Sequence, residues 1–289
     1  MKSCQSSRRW SGFALPAAIA FVAGIAAVPA AAQSIAIVTD VSGKVSGPAP
    51  VSILSEIAAD ARLQLAAGAR LVALYLKSGD EYLLTGPAQV QFQAGGPNVL
   101  SGAKPQKRAS PVGKGSNVTI KPVNVAQAAY VMRGSRTTAR IRLLSLAGTR
   151  TLEASPEFRW QAIEPGMKYR FELTDDTGHS LYESEVESTS IRLPASVVLK
   201  EGASYTWEVS TRTPDNRRYV SAGDFTIAPA DLRAQARSLQ PPSSAPVSDR
   251  VAYAAWLEQA ELRDEARKYW QALAKERPKD EKLKALAAE

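Results

Sequence analysis

Between residues 135 and 228, apolar side chains alternate with polar ones through a series of short segments. Tyr169, Phe171 and Leu173, for example, fall on one face of an extended chain. Such alternation is typical of a β-strand with one buried face. Short alternating segments separated by turn residues predict a two-sheet β-sandwich. The candidate strands are Arg140–Leu146, Phe158–Gln161, Lys168–Thr174, Ser180–Glu185, Ser190–Leu193, Ser204–Thr211 and Tyr219–Ile227.

Aromatic residues recur at the inward positions of these candidate strands. The most informative motifs are Phe158-Arg-Trp160, Tyr169-Arg-Phe171, Gly202-Ala-Ser-Tyr205-Thr-Trp207-Glu-Val209 and Phe225. This pattern resembles fibronectin type III and related immunoglobulin-like domains. Leu199 and Tyr205, around Gly202, also resemble a tyrosine corner, in which the tyrosine hydroxyl bonds to upstream backbone. The resemblance implies spacing, display or protein contact, and it implies no reaction.

Residues 33–100 predict a second, smaller β module. Both alternating faces of Arg70–Leu76 are apolar, which indicates a strand buried on both sides. Ser78–Asp80 predicts a hairpin turn, and further strands are expected at Glu81–Thr85 and Gln89–Gln93.

Glycines and short strands recur through this module in a characteristic order. The segments are Val41-Ser-Gly-Lys-Val45, Leu65-Ala-Ala-Gly68, Val72 to Gly79 and Leu84-Thr-Gly-Pro87. Their spacing resembles FecR-like domains, which are small β modules of bacterial envelope proteins. The namesake members signal across a membrane through a span and a cytoplasmic segment, a role that we do not transfer to this chain. Other members are similar to periplasmic binding or scaffold modules.

The first 32 residues have the pattern of a secretory signal peptide. Lys2, Arg8 and Arg9 precede an uncharged apolar run, Phe13–Val28, and three alanines end before Gln33. The other interpretation, an uncleaved membrane anchor, is weakened by two prolines and by the low transfer free energy of alanine. Cleavage after residue 32 would place the protein in the periplasm or outside the cell, with no integral membrane segment.

The expected mature chain carries few residues suited to catalysis or metal binding. Cleavage removes Cys4, the one cysteine, and therefore excludes disulfides, thiolate ligands and cysteine nucleophiles. The one histidine, His179, lies in an Asp-Asp-Thr-Gly-His sequence typical of a hairpin turn. Paired acids such as Asp175 and Asp176 could serve glycoside hydrolysis, but a catalytic acid needs a sheltered site. We therefore expect no enzyme activity, no cofactor and no metal.

The middle of the chain is strongly basic. No aspartate or glutamate occurs from Tyr82 to Leu152, a span that contains ten lysines and arginines. Such asymmetry favours an anionic partner, and few aromatics accompany it, so nucleic acid is not expected. A solvated basic linker at residues 101–134, rich in Gly, Pro and Ser, explains part of the same pattern. The arginines are either ordinary outer-face residues of a strand or partner contacts: Arg133, Arg136, Arg140 and Arg142.

The C-terminal part predicts helices. A short helix at Asp231–Leu239 and a Pro-rich linker occupy residues 229–247, and Ser248 is a candidate N-cap of the next helix. Counted back from Pro278, the small and aromatic positions at residues 248–289 resemble one tetratricopeptide repeat. Those positions are Ala254, Ala266 and Trp270. A single repeat buries its face poorly, so it must dock on the chain, pair with a copy or grip a partner. The resemblance makes Tyr253 and Trp270 candidate partner contacts.

Together these features predict a mainly β protein with an α-helical C-terminal tail, in which a small FecR-like β module precedes a fibronectin-like sandwich. We expect a non-enzymatic envelope binding or scaffold protein that contacts an envelope protein through several modules. The alternative is a protein that binds an anionic glycan or peptidoglycan through the basic region at 104–150.

Overall fold

The computed structural model describes residues 34–113 and 140–288. This part of the chain is mainly β, with its helices after the strands, as predicted. The strands are β1 (Ser34–Ser42), β2 (Val45–Ser46), β3 (Glu56–Ala58), β4 (Arg62–Leu65), β5 (Arg70–Tyr75), β6 (Asp80–Thr85), β7 (Ala88–Gln93), β8 (Gly96–Ser101), β9 (Gln106–Ala109), β10 (Thr149–Thr151), β11 (Glu157–Arg159), β12 (Tyr169–Asp175), β13 (Ser180–Val186), β14 (Ser190–Arg192), β15 (Ser204–Arg212) and β16 (Arg218–Ile227). The helices are α1 (Ala230–Leu239), α2 (Val247–Gln259), α3 (Arg263–Glu276) and α4 (Glu281–Ala288).

The first β region consists of two antiparallel sheets. One has the strand order β3-β1-β5-β6-β9 and the other β2-β4-β7-β8. Val90 and Phe92 point into the core between them and are fully buried, as their alternation predicted. The predicted hairpin turn at Ser78–Asp80 joins β5 to β6, and Gly79 adopts a positive φ of 67° there.

Strand β5 is buried on both sides, which confirms the interpretation of its sequence. Leu71 and Ala73 belong to the core between the two sheets. Leu74 points the other way and joins a second core, which also includes Ile37 of β1 and the helices. The five-stranded sheet therefore separates two apolar cores, and the helical tail covers its outer face.

Strand β9 lies inside the segment that the composition predicted as linker. Its backbone pairs with β6 over the register Asp80 with Ala109 to Leu83 with Gln106. All four residues of β9 are exposed, so their sequence carries no alternation of apolar side chains. The strand exists because β6 offers an open edge for main-chain hydrogen bonds, which composition does not report.

The second β region contains a five-stranded sheet of order β10-β16-β15-β12-β13 and a two-stranded sheet, β11-β14. Strand β10 runs parallel to β16, and the other pairs are antiparallel. Aromatic rings fill the core, among them Trp160, Phe171 and Trp207. Tyr205 accepts a hydrogen bond from the backbone N–H of Lys200 at 2.7 Å, which confirms the predicted tyrosine corner.

The predicted strand at Arg140–Leu146 does not form as such. Only Leu143 makes a bridge, to Trp160, and the strand that joins the main sheet here is β10. Leu146 adopts a positive φ of 55°, and its carbonyl accepts a hydrogen bond from the Trp207 indole N–H at 2.8 Å. This side-chain contact takes the backbone out of a regular ladder.

The helices pack against one another and against the first β region. Ala254 of α2 and Ala266 and Trp270 of α3 are fully buried in their shared core. Ser248 is not the N-cap of α2, because the helix begins at Val247 and Pro246 precedes it. The Ser248 hydroxyl instead accepts a hydrogen bond from Arg108 of β9 at 2.8 Å.

Candidate functional site

Two of the four arginines predicted as partner contacts lie among the described residues. Arg133 and Arg136 lie outside the described residues, as do the predicted signal segment 1–32 and residues 114–134 of the predicted linker. Arg140 and Arg142 are exposed on either side of Ile141, which is 2% exposed. The alternation predicted there is therefore present locally, although the strand is not.

The two predicted aromatic contacts lie in the interior. Trp270 is fully buried, and its indole N–H donates to Glu258 at 3.2 Å. Tyr253 is 3% exposed and donates its hydroxyl proton to the Ala236 carbonyl at 3.0 Å. Burial, and then the neighbouring Tyr269, raise the pKa of Tyr253. Both side chains hold the helices together and present no surface to a partner in this arrangement.

A charged cleft lies between the sandwich and helix α3. Its volume is about 230 Å³. One wall comes from β11, β14 and the segment before β10, and includes Leu144, Arg159 and Arg192. The other wall is a face of α3 that includes Glu265 and Lys268. Two regions far apart in the sequence therefore form this cleft together.

Strand pairing places the side chains of Arg159 and Arg192 on the solvent-exposed face of the sandwich. Phe158 and Trp160 point into the sandwich and are at most 1% exposed, so Arg159 between them faces solvent. The Leu144 N–H donates to the Arg159 carbonyl at 2.8 Å, which places these two residues opposite each other. Arg192 stands opposite Glu157 in the β11-β14 pair.

The helix wall neutralises its own charges. Asp264 and Glu265 lie in the first turn of α3, and Arg267 and Lys268 follow three residues later. Asp264 pairs with Arg267 at 2.7 Å and Glu265 pairs with Lys268 at 3.0 Å. Lys268 also approaches Glu153 at 3.9 Å. These contacts leave little uncompensated charge on the α3 side of the cleft.

The sandwich wall is different, because its two acids, Glu153 and Glu157, and its two arginines make long ion pairs or none among the described residues. Arg192 reaches Glu157 only at 3.8 Å, well beyond a charge-assisted hydrogen bond. Arg159 makes no ion pair with any residue in the described ranges. The cleft therefore offers two guanidinium groups to an incoming anion, and guanidinium groups match carboxylate or phosphate oxygens geometrically.

Four hydrogen bonds and an ion pair between Arg150 and Glu261, at 3.1 Å, join the cleft walls near the start of α3. The Leu146 N–H donates to Asp264 at 2.7 Å, and the Arg150 N–H donates to the Glu261 carbonyl at 2.7 Å. The Thr149 hydroxyl donates to that same carbonyl at 3.0 Å and accepts from the Arg263 N–H at 3.0 Å. These contacts lie at the start of α3, and farther along the helix the long Lys268–Glu153 pair, at 3.9 Å, crosses the cleft.

A second polar cluster joins the first β region to α2, and its role is structural. Glu81 of β6 is 1% exposed, accepts a hydrogen bond from Thr39 at 2.9 Å and pairs with Arg108 of β9. Arg108 also pairs with Asp249 of α2. Burial raises the pKa of Glu81, against the opposing effect of Arg108 and the Thr39 hydrogen bond.

His179 lies where the sequence predicted, in the exposed turn between β12 and β13. Asp175 accepts hydrogen bonds there from the backbone N–H groups of Thr177 and His179, at 3.0 and 2.9 Å. Within residues 34–113 and 140–288, no three histidine, cysteine, aspartate or glutamate side chains form a group that could hold a metal ion.

None of the helices in the described part of the chain has both the length and the apolar character needed to span a membrane.

No protein-family model matches the sequence, and no curated protein matches it. Among solved structures, the fibronectin type III domain of the human collagen alpha-1(XX) chain is 20% identical. That match covers 39% of this chain and 92% of that one, with a TM-score of 0.25. CopC from Methylosinus trichosporium OB3b is 22% identical over 32% of this chain and 96% of that one, also with a TM-score of 0.25.

Sequence reasoning identified neither Arg159 nor Arg192 as a site residue. The signal was present at Arg159, because a charged residue between two large aromatics must face away from the core of a strand. No local sequence pattern shows that α3 packs opposite Arg159 and Arg192, because that depends on how the helices dock on the β regions.

Proposed function

We propose that this protein is a non-enzymatic binding or scaffold protein of the bacterial cell envelope, and that it holds a partner protein at the cleft between the sandwich and α3. The observation that carries the proposal is the cleft itself, with Arg159 and Arg192 open toward it. Protein interfaces favour arginine, and a surface built from two fixed elements needs little ordering on binding.

The envelope location rests on the signal-like first 32 residues. Their cleavage predicts a mature protein that begins at Gln33, and intact-mass measurement of the protein from an envelope fraction tests it. Mature protein found in the cytosol would contradict the location. The FecR-like and tetratricopeptide-like resemblances agree with a binding role and remain predictions.

Photocrosslinking in intact cells tests the partner contact. A photoreactive amino acid replaces Gln271, which lines the cleft and is exposed, and a matched control replaces His179, which is exposed in the distant β12-β13 turn. We expect a defined protein adduct from the cleft position and none from the turn. Equal adducts at the two positions, or none at Gln271, would contradict the proposal.

The alternative function is binding of an anionic glycan or peptidoglycan. Three exposed arginines, Arg142, Arg159 and Arg192, favour it, because they lie on neighbouring outward positions of the sandwich. Cosedimentation with isolated peptidoglycan across a salt titration tests it. Binding that weakens as salt rises would support the alternative, whereas absence of binding at every salt concentration would remove it.

A further inference from the structure

We infer that the cleft recognises an acidic segment of the partner protein, in which carboxylates pair with Arg159 and Arg192 and a neighbouring apolar side chain contacts Leu144. This inference rests on the proposed function and adds the chemistry of the ligand. The charges, the apolar contact and the size of the cleft each support it.

The first step concerns the charge that is free to bind. Arg192 is 65% exposed and lies 3.8 Å from its carboxylate neighbour Glu157, so it can turn to an incoming carboxylate. Arg159 is exposed beside it and has no ion partner within the described ranges. A carboxylate placed between them can form paired N–H···O bonds with either fork.

The second step excludes a cationic ligand. Asp264 uses one oxygen for the Leu146 N–H and the other for Arg267, at 2.7 Å each. Glu265 is 19% exposed and both of its oxygens lie 3.0 Å from the Lys268 ammonium. Glu153 and Glu157 also line the cleft and lie 3.9 and 3.8 Å from Lys268 and Arg192. Each acid of the cleft therefore has a cation within 4.0 Å, whereas Arg159 has no ion partner within the described ranges.

The third step favours a peptide over a glycan. Leu144 lines the cleft and is 41% exposed, whereas most large apolar side chains of this sandwich are buried. It lies directly opposite Arg159. An acidic residue and the apolar residue next to it can contact both where the bound segment bends, because adjacent side chains of an extended chain point to opposite faces. A leucine side chain of a peptide offers more aliphatic surface to Leu144 than the hydroxyl-rich surface of a glycan does.

The fourth step concerns size. Sites that enclose a whole small molecule have volumes of roughly 300–1,000 Å³. The cleft, at about 230 Å³, is smaller and open at one side of α3. It suits one or two side chains of a segment that crosses it, while the rest of the partner stays outside.

Fluorescence anisotropy with the full chain tests the inference. The probe is a labelled Gly-Glu-Leu-Glu-Gly peptide, and its control replaces both glutamates with glutamine. We expect Arg159→Ala and Arg192→Ala each to weaken binding of the acidic peptide by about twofold to fivefold, as for loss of an exposed ion pair. Arg170→Ala, which changes an exposed arginine on β12 outside the cleft, leaves binding unchanged.

The apolar contact has its own variant. Leu144→Ser is expected to weaken binding of the Gly-Glu-Leu-Glu-Gly peptide severalfold. Binding of a Gly-Glu-Ser-Glu-Gly peptide should not change, because its serine makes no apolar contact with Leu144. Circular dichroism of each exposed variant confirms that it is folded.

Several outcomes would overturn the inference. Equal binding of the glutamate and glutamine peptides would do so, as would unchanged binding by the Arg159→Ala/Arg192→Ala double variant. If polygalacturonate binds the cleft more tightly than the acidic peptide does, the arginines recognise an anionic glycan rather than a peptide. If a partner still crosslinks at Gln271 in the double variant, this inference is wrong and the proposed function stands. If no partner crosslinks at Gln271 in the parent protein, the proposed function itself is wrong.

Discussion

The helices meet the two β regions in different ways. Against the first region, α2 packs on β1, and side chains such as Ile37 and Leu74 join the helical core. Against the sandwich, the start of α3 and Glu261 before it meet β10 and Leu146 through hydrogen bonds, one of them to the Asp264 carboxylate. We call the first contact the apolar interface and the second the polar interface.

The difference shows how one set of helices can be fixed and still leave a binding surface. The apolar interface excludes water and fixes the position of the helices, because burial of aliphatic side chains supplies most of the stabilisation. The hydrogen bonds of the polar interface lie at the start of α3. The remainder of that face stays separated from Arg159 and Arg192, and this separation is the cleft.

The largest expected effect comes from the core behind the apolar interface. Trp270→Ala removes a fully buried ring that packs with α2. We expect the free energy of unfolding to fall by about 3–5 kcal/mol, because the cavity cannot fully collapse. Chemical denaturation followed by far-ultraviolet circular dichroism measures it.

The control for that variant is Lys275→Ala, which changes an exposed residue of the same helix and should shift the unfolding free energy by less than about 0.5 kcal/mol. A Trp270→Ala protein of unchanged stability that lost a partner would restore the original prediction of Trp270 as a contact residue.

The next effect concerns the ionic part of the apolar interface. Arg108→Ala leaves Glu81 buried without its cation and removes the link to Asp249. We expect a loss of about 1–3 kcal/mol, less than for a fully buried pair because the Arg108 side chain is 43% exposed. Thermal and urea denaturation measure it.

Lys107→Ala provides the matched control for Arg108→Ala. Lys107 is the preceding residue on β9 and pairs with Asp80 at the surface, at 2.9 Å. Its loss should destabilise the protein less than the loss of Arg108, because an exposed ion pair contributes little. If the two variants were equally stable, the buried network would add nothing to the interface.

A smaller effect is expected at the polar interface. Asp264→Ala removes the acceptor of the Leu146 N–H and should cost about 1 kcal/mol. Hydrogen exchange should accelerate at the amides of residues 146–151 and not in β5. Glu281→Ala, another acid in the first turn of a helix, should leave those amides unchanged. Acceleration in β5 as well would show that the two interfaces open together.

The sequence predicted most strands and helices because their side chains alternate with a clear period. Phe92, Trp207 and Ala266 are buried where the pattern places them. The alternation did not predict β9, whose residues are all exposed. It also did not predict the end of the strand pattern at Leu146, whose φ is positive and whose carbonyl accepts a hydrogen bond from the Trp207 indole. Both depend on a partner distant in sequence, which no local period encodes.

The candidate site was less predictable than the fold. Net charge pointed to the basic middle of the chain, yet Arg159 and Arg192 lie outside the span that lacks acids. The tetratricopeptide-like pattern predicts Tyr253 and Trp270 as partner contacts, since a lone helical hairpin must bury its face on the chain, a copy or a partner. The structure buries that face on β1, so the aromatic residues became core and the cleft formed on the other side of α3.

The smallest expected effect concerns the pH dependence of the apolar interface. Burial raises the pKa of Glu81 above its usual value of 4.5, so the folded protein binds this proton more tightly than the unfolded chain. The contribution of Glu81 to stability is therefore greatest below pH 4.5 and is lost as the pH rises through its folded pKa. In Glu81→Gln the side chain does not ionise, so this decrease in stability with rising pH is absent. Urea denaturation from pH 4 to 8 should show a stability difference, variant minus parent, that increases with pH, and a constant difference would contradict the prediction.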